Sequence, residues 1–295
     1  MLTGALTRLT VALFWLLHWL PLPVLAVIGS AVGEAMYWVA RPRRHIASVN
    51  LRLCFPELDA GARRRLVRAH FRALGRSLVE RGLLWWASEA RLKRLIRLEG
   101  AERLRALLDS GRPVILLAPH FVGLDMGGSR VAMEFDSVSI YARQKNRVLD
   151  RWLYHGRSRF GDQLLLSRQD GVRGTVKAMK AGRPFYYLPD MDYGRKDAIF
   201  VPFFDVPAAT ITGLSRLGRL AGAAVVPCVT RMLPGGRGYV AELGEPWPDY
   251  PTRDVEDDTA LMNRWIESVV RTMPEQYYWV HRRFKTRPAG EARPY

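Results

Sequence analysis

The stretch Pro113-Val-Ile-Leu-Leu-Ala-Pro-His-Phe-Val-Gly-Leu-Asp125 decides the fold of this 295-residue chain. Its first part, from Pro113 to Ala118, is an apolar run typical of a buried strand, and it ends abruptly at Pro119-His120. Glycines follow, and then a helix-compatible segment, Arg130 to Glu134. This order predicts that His120 lies at the carboxyl end of a strand, where open α/β sheets bind their ligands.

The chain continues from about residue 95 as an alternation of short apolar segments and amphipathic segments. This alternation predicts an α/β fold, in which helices flank a mixed, largely parallel sheet. The predicted strands are Leu95–Leu98, Val114–Ala118, Val138–Tyr141, Gln163–Leu166, Phe185–Leu188, Ala224–Thr230 and Tyr239–Leu243. The predicted helices are Ala101–Leu108, Arg147–Phe160, Gly174–Lys180, Ala208–Leu220, Thr259–Thr272 and Pro274–Phe284, after a long amphipathic stretch from Leu58 to Trp86.

His120 and Asp125 are the candidate catalytic residues. A histidine and an aspartate at this spacing can meet across the turn that follows the strand. The carboxylate would then accept a hydrogen bond from one ring nitrogen and leave the other nitrogen free as a base. The alternative interpretation is an aspartate that caps a helix and a histidine that faces solvent.

The N-terminal segment from Leu9 to Gly33 carries no formal charge when His18 is neutral, and its length is sufficient to span a bilayer. Pro21 and Pro23 interrupt it, so one kinked spanning helix and two short helices in the membrane interface both remain open. A buried helix pair of a soluble protein is a third interpretation. The basic segment that follows favours a membrane anchor with the remaining chain on the cytoplasmic side. We therefore predict an anchor with a basic collar over residues 1–45 and one α/β domain over residues 46–295.

The charge balance narrows the possible partners. The chain has 45 Lys and Arg against 28 Asp and Glu, a net charge of +17, which favours anionic lipid, an acidic protein or nucleic acid. No zinc-finger spacing, RNP-like strand or recognition-helix pattern is present, so we expect no nucleic-acid partner. Cys54 and Cys228 both lie in apolar surroundings, which indicates buried thiols rather than a disulfide.

Further polar residues follow other predicted strands and are expected at the same edge of the sheet. Arg143 and Asn146 follow one strand, Asp190 and Asp192 follow another, and Arg231 ends a third. Arginines at strand ends can bind phosphate through two hydrogen bonds of the planar guanidinium group, although a single arginine more often forms a surface salt bridge. The two aspartates raise the possibility of a metal, but no third ligand stands at suitable spacing, so structural roles are favoured.

The sequence contains no motif for covalent or nucleotide-dependent catalysis. The G-x-S-x-G elbow, the P-loop, the G-x-G-x-x-G turn and the H-E-x-x-H motif are all missing. We therefore expect no cofactor, no metal and no covalent intermediate. A histidine base with flanking arginines suits deprotonation of a substrate hydroxyl and direct acyl transfer.

Several segments together resemble the late (secondary) acyltransferases of lipid A biosynthesis, the lauroyl/myristoyl transferase family. The H-x-x-x-x-D motif of His120 and Asp125 is shared with the wider glycerolipid acyltransferases. More specific are the segments Asn50–Glu57, Pro189–Gly194 and Glu275–Pro288. Met191 departs from the residue expected in the second of them. The resemblance runs from the hydrophobic N-terminus almost to the C-terminus.

This resemblance implies a reaction and a location. The donor would be an acyl–acyl carrier protein, and the acceptor would be a hydroxyl of a Kdo-bearing lipid A precursor at the cytoplasmic face of the bacterial inner membrane. His120 would act as the base and Asp125 would orient it. The resemblance also places Arg143, Asn146 and Arg157 around the cleft, with Asp190 and Asp192 in a supporting loop, and we predict all five as substrate-binding residues. Arg231, at a strand end, and Arg282 and Arg283, in the basic tail, are further candidate ligands for anionic groups. The alternative for the tail is a helix end that lies on lipid headgroups.

Two alternatives stay open. In the first, the protein is an acyltransferase whose acceptor is another anionic glycolipid, for example a phosphoinositide mannoside. Alternatively, the chain would be a non-catalytic lipid-binding protein tethered to the membrane by its N-terminus.

Overall fold

The computed structural model describes residues 2–167 and 171–295. Its main sheet has seven strands in the order β1-β9-β8-β2-β5-β3-β4. These strands are β1 (Ile96–Glu99), β2 (Val114–Leu117), β3 (Val138–Ile140), β4 (Leu164–Leu166), β5 (Phe185–Tyr187), β8 (Ala224–Met232) and β9 (Tyr239–Leu243). All neighbours are parallel except β8 and β9. The mixed, largely parallel sheet flanked by helices is the α/β fold that the alternation predicts.

The helices of the described residues flank the sheet. They are α1 (Leu2–Leu17), α2 (Leu22–Val39), α3 (Arg41–Cys54), α4 (Ala60–Val79), α5 (Arg81–Trp86), α6 (Glu89–Leu95), α7 (Ala101–Asp109), α8 (Leu124–Ala132), α9 (Arg147–Ser158), α10 (Gly171–Lys180), α11 (Gly213–Ala221) and α12 (Val255–Thr272). β2 and β5 lie between these layers and are buried along their whole length, as expected for central parallel strands.

All seven predicted strands occur in the main sheet, with differences of one or two residues at their ends. The predicted helix that begins at Ala208 is partly wrong. Its first residues belong to a hairpin of β6 (Ala198–Phe203) and β7 (Val206–Ile211), and α11 begins only at Gly213. The hairpin turns at Phe204 and Asp205, whose φ angles of 51° and 60° are those of a two-residue turn without the glycine that usually marks it.

The predicted helix over Pro274–Phe284 is wrong beyond its first turn. Pro274–Gln276 forms one 3-10 turn, and Tyr277 is extended, with ψ at 147°. The chain then runs alongside the residues that follow β2. The backbone N–H of Val122 donates to the Gln276 carbonyl at 2.8 Å, and that of Tyr278 donates to the His120 carbonyl at 2.9 Å. These tertiary hydrogen bonds replace the helical ones that the amphipathic pattern predicted.

The hydrophobic N-terminus forms two helices rather than one, because α1 ends at Leu17 and Pro21 precedes the first turn of α2. Arg91 donates to the carbonyl oxygens of His18 at 2.5 Å and of Leu20 at 2.6 Å. It thereby binds the turn that follows the C-terminal end of α1. Within the described residues, α2 is the one helix long and apolar enough to cross a membrane by length and composition, with a mean hydropathy of 1.5.

Candidate active site

A histidine and an aspartate that follow two neighbouring strands form the centre of the candidate site. The Nδ1 atom of His120 lies 2.6 Å from Oδ1 of Asp190, and the His120 backbone N–H donates to Oδ2 at 2.9 Å. Parallel pairing of β2 with β5 sets Leu117 beside Tyr187, and His120 and Asp190 each follow three positions later. The register of the two strands therefore brings the two side chains together at the carboxyl edge of the sheet.

The surroundings of Asp190 keep its carboxyl group ionised. The residue is 1% exposed, and burial alone would raise its pKa. The His120 ring and backbone N–H, together with the Tyr277 hydroxyl, instead hold the pKa of Asp190 below its ordinary value. An ionised Asp190 accepts from Nδ1–H, which selects the tautomer whose Nε2 carries a lone pair. The His120 side chain is 15% exposed, so part of the ring can be reached by a substrate.

Asp125 lies elsewhere than predicted. It is in the first turn of α8, and its carboxylate forms ion pairs with Arg157 at 3.1 Å and Arg81 at 3.0 Å. The structure thus corrects the prediction that Asp125 accepts the hydrogen bond that orients His120, because β5 supplies that carboxylate instead. Burial alone would raise the pKa of Asp125, but the two guanidinium groups lower it to about 2.

The two arginines on Asp125 come from different helices. Arg157 belongs to α9 and its guanidinium lies 5.8 Å from the centre of the Tyr141 ring, whereas Arg81 is the first residue of α5. Arg157 is one of the predicted site residues. Arg81 was missed, because it belongs to a long helical stretch where arginines are frequent and only the fold shows which of them meets Asp125.

A cavity of about 50 Å³ lies beside this ion cluster, between α8, α9 and the sheet. Asp125 and Arg157 contribute its charged groups, and Gly128 and Tyr186 contribute to its wall. The Tyr186 hydroxyl donates to the Leu124 carbonyl at 3.1 Å and so connects β5 to the beginning of α8. The cavity therefore adjoins the helix that carries Asp125 and the strand that leads to Asp190.

The segments Asn50–Glu57 and Glu275–Pro288 meet at the site. The Asn50 amide donates to the carbonyl oxygens of Trp279 and His281, both at 2.7 Å, and its oxygen accepts from the Tyr295 hydroxyl. Asn50 is fully buried, so these hydrogen bonds are shielded from water. The α3 helix thereby holds the C-terminal segment against the residues that follow β2.

Asp192 anchors the loop that carries Asp190. Its carboxylate accepts from the Thr286 backbone N–H at 2.8 Å, from the Thr286 hydroxyl at 2.9 Å and from the Gly194 N–H at 2.8 Å. Its own N–H donates to Nε2 of His281 at 3.1 Å. Burial, and then the charge of Arg283, lowers the pKa of His281 to about 4, so this ring is neutral and able to accept that hydrogen bond.

Asn146 and Arg143 lie in the loop between β3 and α9. Asn146 is the N-cap of α9, since its oxygen accepts from the N–H groups of Val148 and Leu149 at 3.0 and 3.2 Å, and its amide donates to Thr7 of α1 at 2.7 Å. This side chain is committed to protein contacts. Arg143 is exposed in the same loop.

The three remaining predicted arginines differ in their surroundings. Arg283 is 2% exposed and donates to Ala209 O at 2.9 Å and Thr210 Oγ1 at 2.8 Å, so it holds β7 instead of reaching an anionic ligand at the surface. Arg231 lines a separate groove between β8, β9 and α12. Arg282 is exposed, directly after His281. In the described part of the chain, no three His, Cys, Asp or Glu side chains gather in a way suited to a metal ion.

The fold and the site together define an α/β enzyme whose apolar N-terminal helices precede the catalytic sheet. The chain matches the family described as bacterial lipid A biosynthesis acyltransferase over residues 1–286. It is 37% identical to the lipid A biosynthesis lauroyltransferase of Escherichia coli (strain K12), over 97% of this chain and 93% of that protein.

Two further relatives from the same organism have comparable coverage. The palmitoleoyltransferase of lipid A biosynthesis is 35% identical over 98% of this chain and 94% of its own length, and the myristoyltransferase is 28% identical over 92% and 83%. The chain belongs to the lipid A biosynthesis acyltransferases, and the protein is therefore an acyltransferase enzyme.

Proposed function

We propose that the protein transfers a fatty acyl chain from an acyl–acyl carrier protein to a hydroxyl of a Kdo-bearing lipid A precursor. The observation that carries this proposal is the His120–Asp190 hydrogen bond of 2.6 Å at the carboxyl edge of the sheet. It leaves Nε2 of His120 as a free base, which is what attack by an unactivated hydroxyl requires. The acyl groups named for the relatives support a fatty acyl donor.

The reaction follows from this geometry. Nε2 of His120 takes the proton of the acceptor hydroxyl while its oxygen attacks the thioester carbonyl carbon. Asp190 stabilises the imidazolium that forms, as a buried carboxylate does for a histidine base. The tetrahedral intermediate then collapses, the carbon–sulfur bond breaks, and the thiolate takes the proton from Nε2. General-base assistance contributes roughly 10²–10⁴-fold to the rate.

We assign Asp125 a positioning role in place of the orienting role that the spacing suggested. It holds Arg157 and Arg81 next to the cavity beside α8. Two guanidinium groups there supply positive charge for the oxyanion of the intermediate or for an anionic group of the acceptor. Arg143 and Arg282, both exposed, are the further proposed contacts for phosphate or sugar-acid groups.

The donor and the location are also part of the proposal. A net charge of +17 suits an acidic carrier protein and the anionic cytoplasmic face of the bacterial inner membrane. Residues 1–45 would form the membrane anchor and basic collar, and residues 46–295 the acyltransferase domain.

A direct assay tests the reaction. Purified protein in detergent is incubated with lauroyl-, palmitoleoyl- or myristoyl-acyl carrier protein and a tetraacylated, Kdo-bearing precursor, and the product is read by mass spectrometry. We expect a gain of one acyl chain, lost in His120→Ala and kept in His45→Ala, a matched control at an exposed histidine. No gain with any donor would contradict the proposed substrates, and a gain that persists in His120→Ala would contradict the mechanism.

A further inference from the structure

The first two helices each present a continuous apolar stripe to the outside. On α1 the stripe consists of Leu6, Leu9, Leu13 and Leu16, which are 67%, 68%, 50% and 60% exposed. On α2 it consists of Val24, Val27, Ala31, Ala35 and Trp38. Both sets recur every three or four residues and so lie on one side of their helix. A contiguous apolar surface along two whole helices marks a site of contact with an apolar surrounding.

The opposite side of α2 is fixed to α4 by backbone contact. Three glycines, Gly29 and Gly33 on α2 and Gly75 on α4, allow this approach. A Cβ at Gly29 would lie 2.6 Å from the Arg76 Cα atom, and one at Gly33 would lie 2.7 Å from the Arg72 Cα atom. The two helices are therefore one packed unit, and α2 cannot change its surroundings without α4.

An ion cluster joins the same two helices. The Glu34 carboxylate of α2 accepts from Nε of Arg68 at 2.6 Å and from Nε of Arg72 at 3.0 Å. The two arginine side chains are about half exposed, at 48% and 51%. Charged groups of this kind are strongly disfavoured in the hydrocarbon of a bilayer. Other arginines of α4 are Arg63, Arg64, Arg65 and Arg76.

We infer that α1 and α2 lie in the interface of an anionic phospholipid bilayer, parallel to its surface, and that α2 does not cross it. Crossing would place the 18 residues of α2 in hydrocarbon together with the arginine-rich helix packed on it, or would break the glycine contact. Lying flat lets the apolar stripes enter the membrane while α4 stays above it. In such a monotopic attachment the apolar side of α2 contacts lipid, and its opposite side keeps its contact with α4.

The surroundings of the stripes match the chemistry of anionic lipid. Exposed Arg8 lies on α1, and exposed Arg41 and Arg43 follow α2 directly. Trp19 is 68% exposed in the turn that follows α1, and Trp38 is 60% exposed near the end of α2. Tryptophan at the headgroup level and arginine around an apolar face are the features of interfacial helices.

Spin-label depth measurements test this inference. Single cysteines replace Val24, Ala31 or Trp38, which span α2 on its exposed side, and Leu261→Cys serves as a control on α12. The native Cys54 and Cys228 are buried and give little background labelling. The labelled full-length protein is bound to vesicles of phosphatidylethanolamine and phosphatidylglycerol, and depth is read from accessibility to oxygen and to a water-soluble nickel complex.

We expect the three α2 labels at the same shallow depth, about 5–10 Å into the boundary between headgroups and acyl chains, with the Leu261 label in water. A profile in which the Ala31 label is deepest and the other two approach opposite surfaces would overturn the inference in favour of a spanning helix. Labels that contact neither lipid nor water would overturn it in favour of a second copy of the chain on the stripes. Neither outcome bears on the acyl-transfer proposal, which the mass-spectrometric assay tests separately.

Discussion

Nδ1 of His120 lies 2.6 Å from Oδ1 of Asp190, a residue 70 positions further along the chain. Asp125, only five positions from His120 in the sequence, binds Arg157 and Arg81 instead. The two aspartates therefore divide two tasks that a single H-x-x-x-x-D motif would combine. In our proposal the first task is the orientation of His120 by Asp190. The second is the placement by Asp125 of Arg81 and Arg157 at the cavity next to α8.

Asp190→Asn tests the first task. An amide at this position either donates to Nδ1 or accepts only weakly from it, so the histidine loses its required tautomer and its compensating charge. We expect kcat to fall by about 10²–10⁴-fold with KM little changed, measured by steady-state acyl transfer. Asp162→Asn, at a carboxylate that is 77% exposed, is the matched control and should keep wild-type rates. Wild-type kcat in Asp190→Asn, with the full loss in Asp125→Asn, would return the orienting role to Asp125.

A double-mutant cycle on Arg81 and Arg157 tests the second task. Each single change to Gln leaves Asp125 one guanidinium, whereas the double change leaves a largely buried carboxylate without either. We expect the double variant to lose more unfolding free energy than the two single variants together, by roughly 0.5–3 kcal/mol. Chemical denaturation at neutral pH measures it. Additive losses would mean that the two ion pairs are independent.

Gly33→Ala tests the packing of α2 on α4. The added methyl group would meet the Phe71 carbonyl and the Arg72 Cα atom, which are backbone atoms and cannot move aside cheaply. We expect a loss of about 1–3 kcal/mol in the free energy of unfolding, read as a lower thermal midpoint in detergent. Gly4→Ala is the control, because nothing lies within 4 Å of that position in α1. The control should gain up to about 1 kcal/mol from its better helix propensity. Equal midpoints for the two variants would contradict the close α2–α4 contact.

The buried His70 should make the stability of the protein depend on pH. The ring is fully buried on α4, its Nδ1–H donates to the Glu275 carbonyl at 3.0 Å, and burial lowers its pKa from 6.5 to about 4. Between these two values the unfolded chain binds a proton that the folded chain does not, so stability falls as the pH decreases through this range. The loss is about 3 kcal/mol at most.

His70→Asn removes the titrating group and retains a donor for the Glu275 carbonyl. Its thermal midpoint should therefore fall less between pH 7 and pH 4 than that of the wild type. Parallel pH profiles of the two proteins would show that His70 is not the group responsible.

Hydrophobic periodicity was sufficient to predict the seven strands of the sheet and most helices, because both depend on local alternation of apolar and polar residues. It failed where contacts distant in sequence decide the backbone. The β6–β7 hairpin lacks a glycine at its positive-φ turn residues, Phe204 and Asp205. The segment after Gln276 has the pattern of a helix, but its backbone is paired with His120 and Val122.

His120 was predictable as a site residue because a strand, a proline and a glycine-rich turn define its surroundings within a few residues. Asp190 was predictable as a member of the site but not as the partner of the histidine. That pairing depends on the register of β2 against β5, which sets Leu117 beside Tyr187. Register is a property of two strands together, and the sequence of either strand alone does not specify it.

The sequence by itself therefore determined the fold class, the position of the histidine at a strand end, the basic surface and the apolar N-terminus. Each of these follows from local composition and spacing. Only the tertiary structure decided that Asp190 binds His120, that Asp125 binds Arg81 and Arg157, and that Arg283 is buried and hydrogen-bonded to β7. The physical reason is that a side chain's partner depends on which strands and helices become neighbours, and the hydrophobic core as a whole sets that arrangement.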